Sequence, residues 1–178
     1  MSASAGRVLV LNGASSAGKS SLAKALQAAL AEPHLHVALD AFRAMEPADY
    51  WLGLDAAVAR RRIAALCRAM HATVAAFAEN GQHVIFDTAL DRASVVESFR
   101  ADLGHLDVTL VGVHCALDEL ERRETARGDR PRGLARRQFG SIHADRSYAF
   151  SVDTTAASAA ACAAEIAAWL DRRERSPA

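Results

Sequence analysis

A chain of 178 residues with 51% hydrophobic and 24% charged residues can bury one sizeable core, which excludes disordered and collagen-like classes. Its 21 Lys and Arg balance 21 Asp and Glu, so no overall charge draws it to nucleic acid or to an anionic membrane. Cys67, Cys115 and Cys162 are widely spaced without a C-x-x-C, and no basic region followed by a long apolar stretch opens the chain, so the expectation is one soluble, cytoplasmic domain over residues 1–178 with reduced thiols.

The first apolar run, residues 8–11, reads as a buried strand and leads into Gly13-Ala14-Ser15-Ser16-Ala17-Gly18-Lys19-Ser20, which fits G-x-x-x-x-G-K-[ST] without a mismatch. Such a P-loop turns its backbone N–H groups inward around phosphate oxygens, with glycines supplying the positive φ values. Lys19 is placed to reach the β- and γ-phosphates, and Ser20 carries a hydroxyl able to ligate Mg²⁺. The helix beginning here, through Ser21 and the apolar positions 22, 25, 26, 29 and 30, points its positive end at the same anion. Pro33 marks its stop.

A second strand is read over residues 36–39, ending on Asp40, with a short helix or turn over 41–45. Asp40 is then a candidate general base facing the γ-phosphate, or an N-cap of the short helix. Tyr50 and Trp51 are candidates for an acceptor pocket or for ordinary packing. Asp55 precedes a long helix with Ile63, Leu66, Met70, Val74 and Phe77 on one stripe, closed by Asn80-Gly81. The third strand, residues 83–86, delivers Asp87 at its carboxyl end, where parallel sheets bind ligands, as a candidate Mg²⁺ carboxylate beside Ser20.

A short helix over 93–101, a fourth strand over 108–113 and a helix over 117–126 follow. Residues 127–147 are polar and broken by glycine and proline at their start, the composition of a mobile helical lid. Seven arginines, 122, 123, 127, 130, 132, 136 and 137, crowd around it. A lid over a nucleotide needs a guanidinium for the charge on the transferred phosphoryl group, for which Arg130 is the first candidate and Arg136 the second. Arg123 or Arg127 is suited to stack on a base. Among seven histidines without metal-ligand spacing, only His143 is placed for a lid to carry it to an acceptor. A strand over 148–152, a turn at Asp153-Thr154-Thr155 and an Ala-rich helix to about residue 173 complete the chain.

Alternating strands and helices predict an α/β three-layer P-loop NTPase fold, a central parallel sheet of about five strands flanked by helices, with an arginine-rich helical lid. Leu11-Asn12-Gly13 running into the P-loop, and Arg123-Glu124-Thr125-Ala126-Arg127-Gly128-Asp129-Arg130, resemble the two signatures of the chloramphenicol phosphotransferase family of small P-loop kinases. The resemblance covers nearly the whole chain and includes the Val152-Asp153-Thr154-Thr155 turn, which it implies lies near the nucleotide base. It implies ATP and Mg²⁺ as cofactors, Asp40 as base for the acceptor hydroxyl and Asp87 as the acid after the third strand. It also implies antibiotic inactivation by phosphorylation of a drug hydroxyl, as in chloramphenicol 3-O-phosphotransferase. The chain departs from the family's antibiotic-modifying member in lacking a Gly-rich acidic insertion between Met45 and Val58, and in having Thr88 where a second acid often follows Asp87.

The function expected is transfer of the ATP γ-phosphoryl group to a small hydroxylated acceptor, with self-association left open. A metabolic kinase of the shikimate, gluconate or nucleoside type shares every phosphate-handling residue. A non-catalytic ATP-sensing module has less need of Asp40 together with an arginine-rich segment.

Overall fold

A computed structural model describes residues 5–127 and 132–175 of the chain. Its elements run β1 (Val8–Asn12), α1 (Lys19–Ala29), β2 (His34–Ala38), α2 (Leu39–Arg43), α3 (Ala56–Glu79) and β3 (His83–Thr88). They continue with α4 (Ala93–Leu103), β4 (Val108–His114), α5 (Leu117–Arg127), α6 (Leu134–Phe139), β5 (Phe150–Asp153) and α7 (Ala159–Arg175). The five strands form one parallel sheet in the order β2-β3-β1-β4-β5.

Strand alternation divides the apolar residues between two cores, one on each face. Leu9, Leu11, Ile85 and Val111 pack towards Leu22 and Leu26 of α1 and Ile166 of α7. Val8, Val10, Val84 and Phe86 pack towards Met70 and Val74 of α3 and Phe99 and Leu103 of α4. Every residue of β1 is buried, as expected of a central strand covered on both sides. The three-layer α/β architecture expected from the alternation is therefore present.

Several boundaries differ from the sequence expectation. β2 begins two residues early because His34 and Leu35 register against His83 and Val84 of β3. It stops at Ala38, and Asp40 falls in the first turn of α2 rather than at a strand end. Asp55 caps α3 as expected, its Oδ1 accepting the N–H groups of Ala57 and Val58 at 2.8 and 2.8 Å. Asp87 lies within β3, paired in register with Leu11.

The expected loose excursion is anchored where it is described: Ala135 and Ile142 are fully buried in the α1/α7-side core. Glu124 of α5 accepts the N–H groups of Gly133 and Ala135 at 2.7 and 2.9 Å, stitching α6 to α5. Among the described residues, no helix is long and apolar enough to cross a membrane.

Candidate active site

The sheet order places the carboxyl ends of β1 and β3 side by side, where an open parallel sheet binds its ligands. The turn from β1 into α1 passes so close to β4 that a Cβ on Gly13 would sit 2.5 Å from the Val113 carbonyl oxygen. Gly13 is thus required by close approach and not by a positive φ. The left-handed positions are Ser16, at φ 65°, and Gly18, at φ 82°. Thr154 ties this loop to the sheet by donating its hydroxyl to the carbonyls of Ala17 at 2.8 Å and His114 at 3.0 Å.

Lys19, Ser20 and Asp87 come together on this loop. Lys19 Nζ donates to the Ala14 carbonyl at 2.9 Å and lies 3.8 Å from Asp87 Oδ1. Ser20 Oγ donates to Asp87 Oδ2 at 2.6 Å. Burial works to raise the Asp87 carboxyl, but the Lys19 charge, the approaching His36 ring and the Ser20 hydroxyl outweigh it and hold the group below the usual carboxylate range. His36 Nε2 lies 3.7 Å from Asp87 Oδ2. A hydroxyl and an ionised carboxylate side by side are the hard oxygen donors that Mg²⁺ takes from a protein while phosphates and waters fill its other positions. The residues present therefore fit the ion.

These groups line a cleft of about 240 Å³ that also contains Asp40 and Arg127. Asp40 Oδ2 is 4.0 Å from Arg127 Nη2, so the end of α5 reaches across to the candidate base. A larger recess of about 360 Å³ lies at the opposite, amino-terminal end of the strands among Arg7, His34, His83 and Glu174. No P-loop residue lines it, whereas the smaller cleft contains Ser15, Ser16, Gly18, Lys19 and Ser20.

The other sequence candidates fall into two groups. Arg123 lies against the loop: a Cβ on Gly18 would be 3.6 Å from its Nη1. Its Nη2 donates to the Thr154 carbonyl at 2.6 Å and its Nε to Glu119 at 2.6 Å. Arg136 is not brought to the cleft, because its guanidinium forms a two-point pair with Glu121 at 2.6 and 2.9 Å on the exposed side of α5. Arg130 lies outside the described residues. His143 does not line the cleft either. Its ring stacks on His114 with centroids 3.9 Å apart, and its Nδ1 is 2.7 Å from the Tyr148 hydroxyl. Tyr50 and Trp51 serve packing, lying under the guanidinium groups of Arg62 at 4.2 Å and Arg43 at 4.9 Å.

Three residues that the sequence did not single out line the cleft. Gln138 of α6 accepts the Ser15 N–H at 2.7 Å and donates to Asp91 at 3.0 Å. His71 of α3 is buried, its Nδ1 2.7 Å from Asp102. None belongs to a motif, and their partners lie far away in sequence, so only the fold assembles them.

The fold and the chemistry have relatives. A Mycobacterium tuberculosis protein named "Putative O-phosphotransferase", found in two strains, is 36% identical over 172 residues, covering 85% of this chain and 76% of its own. The M. tuberculosis APS kinase, solved with AMPPNP and APS, superposes with a TM-score of 0.69 at 20% identity, over 94% of this chain and 99% of its own. Shikimate kinase from Acinetobacter baumannii, solved with shikimate, gives 0.68 at 12% identity, over 95% of each chain. The two kinases share the fold. With the family model for chloramphenicol phosphotransferase-like proteins matching residues 6–171, the chain belongs to that family and is a phosphotransferase of the kinase type.

Proposed function

We propose that the protein transfers the γ-phosphoryl group of ATP to a hydroxyl of a small, largely neutral organic acceptor. The observation that carries this reading is that one cleft is lined by Lys19, Ser20, Asp87 and Asp40 together with the apolar side chains of Leu39, Ile63, Cys67, Met70 and Val95. Loop N–H groups and Lys19 hold the phosphates and neutralise charge that spreads over the migrating oxygens. Ser20 and Asp87 would hold Mg²⁺, which when bound screens the phosphate charge. Asp40 orients the acceptor hydroxyl and receives its proton, with Arg127 beside it completing the neutralisation. Arg123, braced between Gly18 and the Thr154 carbonyl, forms the base-side rim, and Arg130 remains a candidate for the transferred group.

The apolar wall suits an aromatic or aliphatic body, as in a hydroxylated antibiotic such as chloramphenicol, while Arg92 and Arg127 in the same lining keep a hydroxy acid as the alternative acceptor. A coupled ADP-release assay with chloramphenicol, other neutral hydroxylated antibiotics, shikimate, gluconate and nucleosides tests this. Turnover is expected with a neutral acceptor, and Asp40→Ala is expected to bind ATP normally while losing about 10²–10⁴ in transfer rate. Turnover confined to hydroxy acids or nucleosides would establish the metabolic-kinase alternative. ATP binding with no acceptor-stimulated ADP release would point to a sensing module.

A further inference from the structure

Gln138 joins three parts of the site that the chain supplies from separate regions. Its Oε1 accepts the N–H of Ser15, the third residue of the P-loop, at 2.7 Å. Its Nε2 donates to Asp91 Oδ2, on the turn between β3 and α4, at 3.0 Å. This is the only amide orientation that satisfies both partners, since a carboxylate cannot donate and a backbone N–H cannot accept. The side chain is almost fully buried, and α6 beneath it is fixed by fully buried Ala135 and by Glu124 across its first turn.

The loop that Gln138 meets has conformational work to do. Ser16, next to Ser15, holds φ at 65° without the freedom of glycine, a strained backbone state that persists only where its surroundings enforce it. The partly buried N–H of Ser15 is shielded from full hydration, and Gln138 supplies its acceptor from a fixed helix before any nucleotide arrives. We propose that Gln138 is a positioning residue: it presets the P-loop for phosphate through Ser15 and, through Asp91, locks that loop to the acceptor side of the cleft. The inference rests on the nucleotide-binding reading above.

The test is titration of the full chain with AMPPNP and Mg²⁺ by calorimetry, paired with thermal melting. Gln138→Met keeps the shape and removes both polar groups, leaving the Ser15 N–H without its acceptor and Asp91 with Arg92 at 3.3 Å but without the amide donor. It is expected to raise Kd about tenfold. Asp91→Ala removes only the second bond and is expected to raise Kd about threefold. Gln138→Glu alone sets two carboxylates against each other and weakens binding further. Gln138→Glu combined with Asp91→Asn reverses the polarity of the pair, restores net charge and recovers binding to within about threefold of the wild type. That rescue is a readout that lost packing cannot produce.

Kd within twofold of wild type for Gln138→Met overturns the proposal, as does lowered melting with unchanged Kd across the set. If Gln138→Met does not fold, Asp91→Ala and the polarity-reversed pair decide by the same criteria. Wild-type protein that binds no AMPPNP removes the nucleotide reading and this inference together, which separates that failure from the variant outcomes.

Discussion

His143 shows how a single ionisable side chain can be recruited to structure in a segment expected to carry chemistry. Burial, with the His114 ring and the Lys19 charge nearby, brings its imidazole down to about 4. It is therefore neutral near pH 7, and Nδ1 accepts the Tyr148 O–H while Asn12 Nδ2 donates to the Tyr148 oxygen at 2.7 Å. Asn12 Oδ1 in turn accepts the Leu90 N–H at 2.8 Å, so the network fixes the backbone just ahead of the P-loop. The folded value lies below the unfolded value of about 6.5, so this contribution to stability is fully present above that pH. It declines as pH falls, because the unfolded chain takes up a proton that the folded chain refuses, and it is lost by about pH 4. His34, also lowered by burial, acts with the same sign. Melting temperatures of the wild type are expected to fall between pH 6.5 and 4.5, and His143→Gln is expected to flatten that slope without abolishing it. An unchanged slope would move the titration to another group.

At the scale of the elements, the pairing of α5 with α6 carries the most consequence for the site. Glu124 is buried, and hydrogen bonds from the Ala135, Gly133 and Leu134 backbone outweigh desolvation and hold its carboxyl below the usual range. It remains ionised at neutral pH and occupies N–H groups that a helix start leaves unpaired. Glu124→Ala is expected to cost roughly 2 kcal/mol or more in urea unfolding with an unchanged m-value, and Glu124→Gln, which keeps one acceptor, less. Equal stability of both variants and the wild type would show that α6 is held by its apolar contacts alone. The sequence made the long, strongly periodic elements legible, but this one less so. Ala135 and Ile142 are seven residues apart among arginines, and the polar composition around them resembles a loose lid although both sit in the core. The β2 boundary was hidden for a similar reason, since His34 and Leu35, just after Pro33, look like part of the connection until His83 and Val84 of β3 lie beside them.

For the whole molecule, helical and strand periods predict a parallel sheet but carry little information about strand order, because central strands are nearly uniform in composition. The order β2-β3-β1-β4-β5 sets β3, with Asp87, beside β1 and its P-loop, and brings Asp40, just after β2, into the same cleft. The P-loop and the two aspartates were therefore legible as residues, whereas the Ser15–Gln138–Asp91 bridge and the His71–Asp102 pair had to wait for the fold. In the proposed reading the nucleotide is held by the loop, β3 and α5, distant parts of the chain, so binding is expected to stabilise the domain as a unit. At AMPPNP–Mg²⁺ concentrations about 100-fold above Kd, linkage adds about 2.7 kcal/mol. For a chain of this size that raises the melting temperature by about 5–11 °C. Asp40→Ala is expected to retain the shift, because its carboxylate is assigned to the acceptor in the proposed reading, and Lys19→Ala to lose most of it. A shift retained in Lys19→Ala but lost in Asp40→Ala would reverse the donor and acceptor sides of the cleft and with them the proposed roles of both residues.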